Sequence, residues 1–384
     1  SLKNKSSDEQ MEFIRWHALS SYVRWSKLLE EKGFATCSFN HNLPEIALAW
    51  AKENKFEPKS SHSINEIGLK KIKQFKPDFI FSFAPLTYLK NNFLDELIGA
   101  LNKKPKLIAW YGANCGDEEI FRYFDLTLSN SKQLVKRLRN KGIKSDFLGH
   151  SFDPIILKRV DIPSNRINRV SFFGNLDLTT RDFNERTRLL EKVSDETGKL
   201  DTYGQFSIFS NQQRIKYKLL ETRSNLSRVA NKLLPTKKLE YWANPSNLPA
   251  NPLALSSKFE RRIKQPCYGH EMLETLSKYS IALNYHNKHT GDCACNMRLF
   301  EATGVGCALL TDWKSDLSDY FEEGKEVLTF KSVEDLIEKM KFLIRNPNNA
   351  KVLGQNAQSR VLQEHTTDIK INRLSKIIEC NFGN

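Results

Sequence analysis

Long apolar runs are what this chain lacks first: among its 384 residues none approaches the ~20 consecutive apolar side chains that a membrane-spanning helix needs. Its opening residues, Ser1-Leu2-Lys3-Asn4-Lys5, carry no apolar stretch of the secretory kind, and the expectation is an unexported, cytoplasmic protein. Cysteine is thin and odd in number, seven scattered residues, which fits reduced thiols and argues against a disulfide framework. Helix-turn-helix, zinc-finger and RNA-recognition spacings are missing too, so the formal charge of +14 does not point to nucleic acid. There is no internal repeat and no low-complexity tract.

What the chain has is enough apolar material, 40% of its residues, for two cores, because single cores stop growing near ~250–300 residues. Its positive charge is concentrated. Between Gln205 and Lys264 twelve Lys and Arg stand against three Glu, so this one segment carries +9 of the +14. A solvated helical face explains such a run. A surface for membrane headgroups or for an anionic acceptor is the functional alternative, and peripheral membrane contact through residues 205–264 is carried forward as an expectation.

The pattern of apolar residues predicts an α/β protein. Met11–His17 reads as a first strand, Tyr22–Lys32 as a helix ended by Gly33, and Ala35–Phe39 as a second strand. Asn65–Phe75 is an amphipathic helix that leads through Lys76-Pro77 into Asp78–Phe83, a near-continuous apolar run of the kind buried in parallel sheets. Lys106–Trp110 and Leu126–Ser129 repeat that run, and Lys132–Lys141 is a basic helix. The polar, proline-marked Asp161–Asn165 places a domain junction there. A second series has strands at Val170–Phe173, Leu200–Tyr203, Ile281–Tyr285, Ala308–Thr311 and Val327–Phe330. The basic segment interrupts it as an insertion, with an irregular stretch from Pro235 to Pro252. This rhythm predicts doubly wound parallel sheets in two domains, residues 1–165 and 166–360, followed by a closing helix over 361–384.

The densest chemical signal runs from Asn296 through Arg298, Glu301, Gly304 and Gly306 to Thr311 and Asp312. It reads as a helix with Arg298 and Glu301 three residues apart on one face, closed by glycines and followed at once by a buried strand. A guanidinium binds phosphate oxygens in a fork, and a carboxylate accepts hydrogen bonds from ribose hydroxyls, so the pair suits a ligand with both groups. A plain salt bridge on a helix surface has the same spacing.

This stretch resembles the donor-binding segment of the "glycosyl transferases group 1" class, and most closely its spore-maturation CgeB-like branch. Tyr320–Val327, Ser332–Asn346 and Glu364-His365-Thr366 are similar to later parts of that family, Val170–Leu176 with Arg181 to the opening of its second domain, and Gly149–Pro154 to the end of its first. The resemblance covers roughly residues 120–375. It implies a GT-B architecture, two Rossmann-like domains across a cleft, with the nucleotide-sugar donor on the C-terminal one and the acceptor mainly on the N-terminal one. It also implies that the final helix packs back on the first domain. Carried over residue by residue, Glu301 would bind the ribose and Arg298 the diphosphate, with Asn296 nearby. Gly174 and Asn175 would form a tight turn at the cleft, and Arg181 would add positive charge there.

Many retaining members of that class carry two glutamates separated by seven residues, and the position matching the first is Cys293 here, with Asp292 beside it. Stereochemistry is left open, leaning towards inversion, which needs a base near the acceptor hydroxyl. His17, read as ending the first strand, is a candidate; His150 and Asp117 are its rivals. His286, His289, Cys293 and Cys295 have the chemistry of zinc ligands, but their spacing matches no common zinc site. No metal and no cofactor is expected, the nucleotide sugar being a co-substrate and a glycan or other hydroxyl compound the acceptor. Two further readings stay open: a sugar-nucleotide epimerase or hydrolase on the same fold, and a non-catalytic nucleotide-sugar-binding module.

Overall fold

The computed structural model describes residues 4–17, 24–59, 64–83, 85–86, 93–112, 117–178, 181–205, 209–249, 252, 255–286 and 291–383, with the side chains of residues 181–183 left out. The N-terminal half begins with helices α1 (Ser7–His17), α2 (Trp25–Glu30), α3 (Pro44–Glu53) and α4 (Ile64–Phe75). Then follow β1 (Phe79–Ser82), α5 (Phe93–Gly99), β2 (Lys106–Trp110), β3 (Leu126–Ser129), α6 (Lys132–Asn140) and β4 (Ser145–Phe147). These four strands form one parallel sheet in consecutive order, β1-β2-β3-β4.

Two expected strands are absent from that sheet. Met11–His17 belongs to helix α1, and the reason is local. The Ser6 hydroxyl accepts from Glu9 N at 3.2 Å, and Glu9 Oε2 accepts from Ser6 N at 2.8 Å, a reciprocal cap that starts a helix just before the apolar run. Asp8 and Glu9 in the first turn and Arg15 in the last also suit the helix dipole. Ala35–Phe39 belongs to no strand and has no ladder partner among the described residues. The helix read over Tyr22–Lys32 survives as α2, its first residues lying outside the described ones.

The C-terminal half runs β5 (Ile167–Phe173), α7 (Arg181–Thr197), β6 (Leu200–Tyr203), α8 (Asn211–Leu233), α9 (Lys237–Ala243), α10 (Ser257–Glu260), β7 (Ile263–Lys264), α11 (Gly269–Ser277) and β8 (Tyr279–Asn284). It ends with α12 (Arg298–Gly304), β9 (Ala308–Asp312), β10 (Val327–Phe330), α13 (Val333–Arg345), α14 (Pro347–Glu364) and α15 (Thr367–Phe382). Its six parallel strands lie in the order β10-β9-β8-β5-β6-β7. From β5 the chain steps outward to β6 and β7, then returns to the other side of β5 with β8. The strand order therefore reverses between β5 and β8, and open α/β sheets present ligand crevices at the carboxyl ends of the strands at such a point. The stretch from Pro235 to Pro252, read as irregular, contains α9, which Thr236 caps through a hydrogen bond from Leu239 N.

The two halves are joined by packing as well as by chain. Ile371, Leu374 and Ile378 of α15 share a core with Trp25, Ile108, Leu126 and Leu128 of the N-terminal half. Phe152, which follows β4, lies against Gly304 at the end of α12; a Cβ there would stand 2.3 Å from the Phe152 ring. Only glycine allows that approach.

Candidate active site

Strand β5 ends at Phe173 and hands over to the turn Gly174-Asn175. Gly174 N donates to Tyr203 O at 3.0 Å, which holds the turn against β6. A Cβ on the neighbouring Gly204 would stand 2.1 Å from Gly174 O, so the two backbones touch where any side chain would part them. The Asn175 carbonyl accepts a hydrogen bond from Arg186 of α7, and burial pushes that guanidinium's pKa down to about 10. Arg181 opens α7, but its side chain is among those not described.

Beside this turn, across the switch point, the chain leaves β8 and reaches α12. Arg298 and Glu301 lie one helical turn apart with Nη1 2.8 Å from Oε2, and their side chains are 16% and 15% exposed. The Arg298 guanidinium is 5.6 Å from the centre of the Phe173 ring, which brings α12 and the end of β5 together. It also meets the Met272 sulfur at 2.9 Å, while its buried Nε has no hydrogen-bond partner among the described residues. Asn296 orients the start of the helix: its Oδ1 accepts from Arg298 N at 3.1 Å, and its Nδ2 donates to Asn284 Oδ1 at 2.7 Å.

Asn284 belongs to a buried polar group that the sequence reading did not assemble. Its Nδ2 donates to Thr311 Oγ1 at 2.9 Å. His286 sits two residues on, its Nδ1 2.7 Å from Asp312 Oδ1 and its backbone N 2.9 Å from the same oxygen. Burial raises the Asp312 pKa, but the hydrogen bonds and charge of His286, with Lys314 at 3.4 Å, outweigh it and hold the carboxyl below its usual range. The other ring nitrogen of His286, Nε2, is buried with no hydrogen-bond partner among the described residues. A signal was present in the sequence: Asn284-x-His286 and Asp312 end adjacent strands. Reading it required knowing that β8 and β9 are neighbours.

Of the three candidate bases, His150 alone stands between the two halves. Its Nε2 is 2.6 Å from Asn130 Nδ2, and Asn130 in turn donates to Cys295 O at 2.9 Å, in the loop before α12. Burial, with the Lys370 charge added, pushes the imidazole well below its ordinary pKa, so the ring is neutral at neutral pH. His150 lines a groove of about 730 Å³ whose other walls include Lys132, Tyr320, His365, Lys370 and Arg373. Lys132 and Asp319 close 2.5 Å across it, from opposite halves. Asp117 is an N-cap, accepting from Glu119 N at 3.0 Å. His17 ends α1 rather than a strand; its ring is exposed, stacks on Phe13 at 3.7 Å and meets the Phe13 carbonyl. The case for His17 rested on a strand end, and the helix removes it.

Among the described residues no group of three His, Cys, Asp or Glu could hold a metal ion, and six cysteines are free. Of the four residues with zinc-ligand chemistry, His289 lies outside the described residues and His286 is paired with Asp312. Burial pushes the Cys295 thiol up to about 12, so it stays protonated. No described helix is long and apolar enough to cross a membrane.

Residues 186–376 match the model of the glycosyl transferase-like family. No curated protein sequence matches the chain. Among solved structures, the Rickettsia africae glycosyltransferase is 11% identical with a TM-score of 0.53, over 95% of this chain and 94% of that one. Anabaena Alr3699/HepE in complex with UDP is 11% identical with a TM-score of 0.53, over 83% and 82%. A variant of S. aureus TarM in complex with Fondaparinux, alpha-GlcNAc-glycerol and UDP is 12% identical with a TM-score of 0.50; 82% of this chain is covered, but only 58% of the TarM chain. At such identities the likeness speaks for the fold, and the family match over the half that carries Arg298 and Glu301 speaks for the chemistry. The chain is a glycosyltransferase of the GT-B fold.

Proposed function

We propose that this glycosyltransferase moves a sugar from a nucleotide-sugar donor to a hydroxyl of a glycan, lipid-linked or protein acceptor, and that the CgeB-like branch is its nearest kin. The observation that carries this is the Arg298–Glu301 pair set where the C-terminal sheet reverses its strand order. Glu301 accepts hydrogen bonds from the ribose, Arg298 forks onto the diphosphate, and Asn296 and the Gly174-Asn175 turn shape the space between them. Arg181 adds charge at the same turn. UDP, the nucleotide in the HepE and TarM complexes, is the first donor base to test.

Residues 1–165 form the acceptor-side domain, 166–360 the donor domain, and 361–384 the helix that returns to the first. The acceptor oxygen attacks the anomeric carbon as the bond to the β-phosphate oxygen breaks. The acceptor's proton passes to neutral His150, and the charge left on the nucleoside diphosphate is met by Arg298 without a metal. A single displacement of this kind inverts the anomeric centre. The enzyme works on the cytoplasmic face of a membrane, in contact with it through the basic segment 205–264.

The test is a thermal-shift screen of nucleoside diphosphates and nucleotide sugars, followed by product analysis with and without acceptor. A stabilising nucleotide and an acceptor-dependent product are expected. Sugar release at the same rate with and without acceptor would reject transfer in favour of hydrolysis.

A further inference from the structure

Helix α8 is anomalous among the helices of the C-terminal half. Neither it nor α9 contributes a side chain to any of the hydrophobic clusters formed by the described residues. The only buried residues of α8 are Ser224 and Ser227. Yet it carries Ile215, Leu219, Leu226, Val229 and Leu233, each between 61% and 77% exposed.

At about 100° per residue, these five side chains fall within about 40° of one line along the helix. The buried serines lie on the far side. From Ile215 to Leu233 the line is about 27 Å long at ~1.5 Å per residue, and Leu234, also exposed, extends it. Lys216 and Arg223 border the stripe on one side, Lys218 and Lys232 on the other. Across α8 and α9 eight Lys and Arg stand against two Glu.

An exposed apolar stripe between two rows of cations is the pattern of a helix lying in a bilayer interface, apolar face down and cations at the headgroups. The same cations oppose a second copy of this chain, because pairing two such stripes would set Lys against Lys and Arg. We infer that α8 docks on an anionic lipid surface by burying Ile215, Leu219, Leu226, Val229 and Leu233 among the acyl chains. This rests on the reading of membrane contact through the basic segment, and adds the element and its mode of insertion. Helix α8 places the enzyme where lipid-linked acceptors are, and anionic lipid recruits it.

The experiment is flotation of the full chain with phosphatidylcholine vesicles, with and without phosphatidylglycerol, in low and high salt. Wild type is expected to float with the anionic vesicles and to keep part of that binding in high salt, since only the charge contribution is screened. The variant Leu219→Asp/Leu226→Asp, altered only at exposed positions, should lose at least about tenfold in partitioning while UDP-induced thermal stabilisation stays the same. If it floats as well as wild type, insertion is overturned while electrostatic contact stands. If wild type does not float with anionic vesicles, both fail. If wild type is a dimer in solution and the variant a monomer, the stripe is a self-association face and the lipid assignment is wrong.

Discussion

Arg298 Nη1 rests 2.8 Å from Glu301 Oε2, so the two groups proposed for the diphosphate and the ribose hold each other. In the proposed reading, donor binding exchanges this one charge-assisted contact for several. Glu301→Ala is expected to weaken nucleoside-diphosphate affinity by about 1.5–3 kcal/mol, with the fold intact, when measured by calorimetry. Unchanged affinity would remove Glu301 from the donor site.

His150 should set the acid side of the pH profile. Burial and the neighbouring Lys370 charge depress its pKa well below 6.5 in the folded protein, while the unfolded chain keeps the ordinary value. Below pH 6.5 the unfolded state takes up a proton that the native state refuses, so the stability referable to His150 falls as pH drops through that window. His150→Gln should flatten this part of the stability curve. It should also slow transfer by roughly 10²–10⁴-fold with donor affinity kept. His17→Ala, at the exposed end of α1, is expected to change neither; full turnover in His150→Gln would end the assignment.

Lys370 is buried, its Nζ has no hydrogen-bond partner among the described residues and lies 5.3 Å from the centre of the Trp25 ring, and burial pushes its pKa well below 10.5. The unfolded chain binds that proton more readily, so this residue costs stability at neutral pH, and the cost fades as pH rises towards 10.5. Lys370→Met should stabilise the protein by about 1–3 kcal/mol at pH 7 in denaturant unfolding. The gain should shrink at pH 10. A destabilised variant at both pH values would show that the amine is satisfied.

Activity is expected to survive a chelator, because Arg298 and backbone donors meet the leaving diphosphate in the proposed mechanism. Complete loss with EDTA, restored by Mg²⁺ or Mn²⁺, would contradict this and turn attention to Asp292 and Asp312.

Much of the sheet framework was legible in the sequence, because a strand buried on both faces must be apolar throughout. Leu107–Ala109 and Ala308–Leu310, apolar and buried throughout, show this without help from distant residues, while Leu200–Tyr203 departs from it with Asp201 and Thr202. The Arg298–Glu301 pair was legible for a similar reason: one helical turn brings i and i+3 together whatever surrounds it. The first helix was misread. A seven-residue segment with four apolar side chains fits a strand or a helix, and the decision lay in the cap formed by Ser6 and Glu9.

Only the tertiary structure decided what meets across the sheet order. Asn130, His150 and Cys295, or His286 and Asp312, are separated in the chain and joined by strand adjacency and interdomain packing, which no local pattern encodes. The same holds for α8. Its apolar residues recur at the period of any core-facing helix, so the sequence by itself determined that a stripe exists. Whether it faces a core or the outside depends on what packs against it, and the structure leaves Leu219, Leu226 and Leu233 about two-thirds exposed or more, outside every hydrophobic cluster of the described residues.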